Sequence, residues 1–159
     1  MIEPNGAELA RPAKRMVLDS DAIDPDPQRR IARDDRFTNV HINMVPSQTR
    51  PDDVVAIHVG FNISDPAKWN HETSPLQMWI NQPSGQVRLS TQLIMDHTEY
   101  RVAESQSPLS LSFELQIPKN QEGNIQLTAY ALFNLCKSEG GQCLYRRRDF
   151  TIDVPVVAE

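Results

Sequence analysis

Cys136 and Cys143 are the only thiols in the chain, and the polar segment Lys137-Ser138-Glu139-Gly140-Gly141-Gln142 separates them. Four chemistries fit two thiols at this spacing. A structural disulfide implies an oxidising compartment. A redox-active disulfide is attacked through its more exposed sulfur. Two reduced, buried cysteines would act only as small apolar residues. A metal clip would need further ligands, because two thiols do not fill a tetrahedral zinc site and the tight C-x2-C spacing is missing. Arg146, Arg147 and Arg148 follow closely, and with Lys137 their positive charge favours a thiolate. On a strand these arginines alternate, so at most two share a face. They read as a solvated basic strand edge that resists further pairing, or as a docking patch for an acidic partner.

Other side chains are weaker candidates. His41 and Met44 in "HINM" offer soft ligands to copper, and Met44 also reads as core. His58, His71 and His97 have no spacing that forces them together. Trp69 and Trp79 bracket "NHETSPLQM". An exposed tryptophan makes a platform for a sugar or a protein, so Trp69 joins the binding candidates, while Trp79 reads as packed. "NIS" at Asn62 to Ser64 fits a glycosylation acceptor. No G-x-S-x-G, glycine-rich phosphate loop or H-E-x-x-H is present, and the carboxylates are scattered. Enzyme activity, if any, reduces to thiol-disulfide exchange at Cys136 and Cys143. No cofactor is implied.

The elements that must position these residues read as strands. "LSLSFELQI" places Leu109, Leu111, Phe113, Leu115 and Ile117 on one side and polar residues on the other. A helix cannot gather that set on one stripe. "NIQLTAYALFNLC" continues with Ile125, Leu127, Ala129, Ala131, Phe133 and Leu135 on one face, and Tyr130, Leu132 and Cys136 on the other. "VVAIHVGFNI" puts Val55, Ile57, Val59 and Phe61 together, and "LQMWINQ" groups Leu76, Met78 and Ile80 opposite Trp79. "FTNVHINMV" and "QVRLSTQLI" each fit one more strand, and "CLYRRRDFTIDVPVV" runs to the end with Phe150, Ile152 and Val154 in phase. About seven strands with turn signals between them, and no convincing helix, predict an immunoglobulin-like antiparallel β-sandwich over 37–159. Cys136 and Cys143 then face each other across the closing hairpin.

Residues 1–36 differ. "RPAKRMVLDSDAIDPDPQRRIARDDR" is dense in charge and poor in apolar side chains. It reads as an extended charged arm or linker, with a short strand at Met16 to Leu18, or as plain disorder. The chain as a whole, at 159 residues, suits a single domain. Its net charge of -5 lacks the basic excess of a nucleic-acid binder. No apolar run approaches membrane-spanning length, so no membrane insertion is expected. Met1-Ile2-Glu3-Pro4-Asn5 has no signal-peptide character.

A sandwich whose last hairpin carries two cysteines around a short loop resembles the N-terminal domains of the DsbD thiol:disulfide interchange family. "YALFNLCKSEGGQCLYRRRDFTIDVPV" also resembles the C-terminal β-sandwich of thioredoxin-like and NHL-repeat proteins, as does the "N-x-x-x-P-L" entry within "KWNHETSPLQMWI". The first resemblance implies that Cys136 and Cys143 exchange electrons with a thioredoxin-fold partner. The sequence expectation is a non-catalytic accessory or interaction domain of an extracytoplasmic thiol-disulfide system, with a Cys136-Cys143 disulfide. Its partner would be a thioredoxin-fold protein or the rest of a larger parent chain. The alternatives are a redox-active exchange domain and a sandwich that binds metal or carbohydrate.

Overall fold

The computed structural model describes residues 22–34, 36, 38–64, 67–69, 76–83, 85–95, 109–137 and 143–158, with the side chains of 67–69 and 137 outside that set. The described residues form nine strands and no helix. They are β1 (Thr38–Val45), β2 (Val54–Ile63), β3 (Ala67–Trp69), β4 (Gln77–Ile80), β5 (Arg88–Leu89), β6 (Leu93–Met95), β7 (Leu109–Gln116), β8 (Ile125–Lys137) and β9 (Cys143–Val154). One sheet has the order β1-β2-β7-β5. The other is built around β8, which pairs with β9 along one edge and with β4 and β3 along the other, β6 lying beyond β4. All strand pairs are antiparallel. Sheets of order 1-2-7-5 and 9-8-4 reproduce the two-sheet layout of an immunoglobulin-like sandwich.

The alternating residues meet between the sheets. Val55, Ile57, Val59 and Phe61 of β2 pack with Leu109, Leu111, Phe113 and Leu115 of β7. Facing them are Met78 and Ile80 of β4, the inner row of β8, and Ile152 and Val154 of β9. Phe150 meets Phe61 edge to face, with ring centres 5.9 Å apart. Gly123 takes φ +80 in the turn that leads into β8, a conformation that other residues rarely adopt.

Two expectations change. "QVRLSTQLI" is not one strand. β5 pairs with β7 in the first sheet and β6 with β4 in the second. Between them Ser90 Oγ accepts from the Glu114 N–H, and Thr91 Oγ1 both donates to the Leu93 carbonyl and accepts from its N–H. Hydroxyls that satisfy nearby backbone groups let the chain leave one ladder for the other. The arm also departs from plain disorder: residues 24–34 lie against the outer face of the second sheet and leave Asp26 only 5% exposed. The strand expected at Met16 to Leu18 lies outside the described residues.

Candidate functional site

The β8–β9 ladder runs through twelve residue pairs, from Ile125 opposite Val154 to Cys136 opposite Cys143. The two cysteines end this register directly across from one another, with Cα atoms 3.9 Å apart, and are disulfide-bonded. Cys143 is exposed and Cys136 half-buried. The connecting residues 138–142 lie outside the described set.

The three arginines do not form one patch. Arg146 is half-buried and its Nη1 donates to the Tyr145 carbonyl at 2.9 Å. Arg148 is half-buried and also partnered. Arg147 points to the outer face, yet it is only 5% exposed, so the expected solvated edge is corrected at this position. Its Nη1 donates to the backbone carbonyl and to Oδ2 of Asp26, both at 2.9 Å, and its Nε donates to Asp149 Oδ1 at 2.8 Å. Its guanidinium carbon sits 3.6 Å from the centre of the Tyr130 ring, a cation–π contact.

Tyr130 completes this clasp. Its hydroxyl donates to Asp24 Oδ1 and accepts the Asp26 N–H at 2.9 Å. Below it, Trp79, Tyr130 and Leu132 form a second apolar cluster on the outer face, against which Ala22, Ile31, Leu93 and Tyr145 pack. The arm continues as an added edge beyond β9. Arg33 bridges Arg147 in parallel, the Arg147 N–H donates to the Ala32 carbonyl at 2.8 Å, and the Asp34 N–H donates to the Arg147 carbonyl at 3.0 Å. Arg33 and Arg29 of the arm reach Asp149 at 3.1 and 3.6 Å. A cleft of about 480 Å³ opens beside the clasp, lined in part by Asp24, Arg29, Asn81, Thr128 and Asp149.

The charges in the clasp hold one another. Burial alone would raise the Asp26 carboxyl, but Arg147 and the N–H groups of Arg30 and Ile31 keep it below the ordinary carboxylate range. Burial opposes the charge of Arg147, and hydrogen bonds to Asp26 and Asp149 outweigh it and hold the guanidinium protonated. Burial, and then the Asp24 carboxylate, push the Tyr130 hydroxyl well above its usual range. Burial and the charge of Asp26 raise Tyr145 as well.

Other candidates do not converge. His41 and Met44 are three apart on β1 and so lie on opposite faces, Met44 against the core, which removes the histidine–methionine copper pair. His58 Nδ1 lies 2.7 Å from Ser112 Oγ on the outer face of the first sheet. Among the described residues no three His, Cys, Asp or Glu side chains are grouped to hold a metal. Trp69 pairs with Leu135 through its backbone, and its side chain is outside the described set. Trp79 is buried, with its Nε1 donating to Asn81 Oδ1 at 3.0 Å. No described helix is long and apolar enough to cross a membrane.

Sequence reasoning missed Asp24, Asp26, Tyr130 and Asp149. A signal for them existed. Trp79, Tyr130 and Leu132 all fall on strand faces that point away from the core, and three large side chains there require a cover.

No family model and no curated protein matches this chain. Among solved structures it is similar to AggA, the major subunit of aggregative adherence fimbriae type I from Escherichia coli, with a TM-score of 0.36 and 12% identity over 79% of this chain and 99% of that one. It is also similar to the ASH/PapD-like domain (PapD-like domain 7) of human CEP192, with a TM-score of 0.34 and 12% identity over 77% of this chain and 88% of that one.

Proposed function

We propose that this chain is a non-catalytic interaction sandwich of an extracytoplasmic thiol-disulfide system, and that Cys136–Cys143 is a permanent staple of its closing hairpin. The observation that carries this reading is the bond itself, set at the last pair of a twelve-pair ladder. A disulfide that forms and persists belongs to an oxidising compartment, which supports an extracytoplasmic setting. The basic residues beyond Cys143 lend little to a thiolate. Arg147 is committed to Asp26 and Asp149, and Arg146 turns to its own backbone. The likeness of the segment from Tyr130 to Val156 to sandwiches of thioredoxin-like and NHL-repeat proteins supports the assignment to a thiol-disulfide system. The partner is then a thioredoxin-fold protein or another part of a parent chain.

A second reading, disulfide exchange with such a partner, has one observation in its favour: the exposure of Cys143, through which a thiolate can attack. The two separate in one experiment. The oxidised chain is mixed with reduced thioredoxin, and free thiols are trapped by alkylation and weighed by mass spectrometry. The staple reading expects Cys136 and Cys143 to stay unmodified. Rapid appearance of both thiols overturns it in favour of exchange.

A further inference from the structure

The clasp has two halves, and each has contacts of its own besides those it makes with the other. On the sandwich, Asp149 and the Tyr130 ring hold Arg147 from within β8 and β9, and Asn81 fixes Trp79. On the arm, Asp26 folds its own neighbours. Its carboxylate accepts the N–H groups of Arg30 and Ile31 at 2.9 and 3.3 Å, its carbonyl accepts the Arg29 N–H, and its own N–H also reaches Asp24 Oδ1. The arm therefore carries the form of a short linear ligand. The second sheet carries the form of its receptor.

The match between the halves is two-sided. Asp26 presents both a carboxylate and a carbonyl to Arg147. Arg29 and Arg33 answer Asp149. Ala32 and Asp34 add backbone hydrogen bonds along the free edge of β9, as a peptide does when it extends a sheet. Nothing covalent joins the arm to this groove except the chain leading into β1.

We propose that the outer groove between β4, β8 and β9 is a recognition site for a sheet-extending segment that sets an aspartate against Arg147 and arginines against Asp149, and that a second copy of this chain can fill it with its own residues 24–34. The occupant is a second copy because acid opposite Arg147 and bases opposite Asp149 are the charge pattern that this arm itself carries. In the intact chain the tethered arm competes at an effective concentration in the millimolar range, which keeps the wild-type chain monomeric when dilute. Disabling the arm of one copy and the groove of another removes that competition. This inference goes beyond the thiol-disulfide reading and stands whether or not Cys136–Cys143 exchanges.

The test uses two full-length variants. Asp26→Ala spoils the arm and leaves the groove. Arg147→Met spoils the groove and leaves the arm. Each alone is expected to sediment as a monomer, while their equimolar mixture doubles in mass through one exchanged arm. A mixture that remains monomeric, with both chains folded by near-ultraviolet circular dichroism, overturns the proposal. Should Arg147→Met fail to fold, a fluorescent peptide of residues 22–34 is titrated onto the Asp26→Ala chain. Saturable binding is expected, weakened at least tenfold when the peptide carries Asp26→Asn. No binding of the native peptide overturns the proposal. An Asp26→Ala chain that cannot fold overturns it too, because the groove would then depend on its own arm.

Discussion

Arg147 shows what one side chain does when its strand places it outside the core. It is buried by an element 121 residues away in sequence and is held by two carboxylates and a tyrosine ring. Removing one partner of a buried ion pair costs about 3–5 kcal/mol, because the other charge stays buried without compensation. Arg147→Met leaves Asp26 in that condition and is expected to fall in this range. Asp26→Ala is expected to cost less, since Asp149 still answers the guanidinium. Urea unfolding of the two variants checks this order. The same residues set a pH dependence. The Asp26 pKa is lowered in the folded chain, so its contribution is present above the unfolded value of about 3.9 and is lost as pH falls through the folded value. The Tyr130 pKa is raised, so its contribution is present below about 10 and is lost as pH rises beyond that. Denaturation midpoints measured across pH should therefore fall at both ends, and the Asp26→Ala variant should show a shallower acid slope than the wild type. None of this pairing is legible locally. "DPDPQRR" has the composition of a linker, and only a partner distant in the chain makes it a ligand.

At the level of elements, legibility follows burial. β7 and the inner row of β8 are read directly from their alternation, because one face of each is wholly in the core. Opposing positions at the ends of β8 and β9 bring Cys136 and Cys143 together, in keeping with the expected hairpin. β5 and β6 escape the same reading. They are two and three residues long, and what separates them is a pair of hydroxyl–backbone contacts rather than a change in hydrophobic pattern. The outer face of β8 was visible as Tyr130 and Leu132, but its cover was not, since alternation reports one face at a time. The staple can be weighed separately. Closing so short a loop stabilises a fold by roughly 2.5 kcal/mol in the chain-entropy model. Cys136→Ser with Cys143→Ser should lower unfolding stability by about this much and leave the far-ultraviolet spectrum unchanged. The extensive apolar core and eleven other β8–β9 pairs remain in place.

Taken whole, the molecule is two sheets around one core, closed at one edge by a bonded hairpin and covered on one face by a charged segment. Both devices act on β9. The disulfide fixes its start, the arm covers its free edge near Arg147, and Thr49 secures the segment after it by accepting the Val157 N–H and donating to the Pro155 carbonyl. Edge strands invite pairing with other chains, and the free edge of β9 is covered around Arg147 by a segment of its own chain. This concentration of fastening on one strand supports the proposed role of Cys136–Cys143 as a permanent staple, with recognition left to the faces and edges around it. The equilibrium reduction potential of that pair tests the claim most directly, measured against glutathione and dithiothreitol buffers with the thiols trapped at each poise. A permanent staple should lie below about -300 mV, beyond the reach of cellular thiols. A value between about -270 and -180 mV, the span from thioredoxin to disulfide isomerase, would contradict the account and make Cys136–Cys143 a working redox couple.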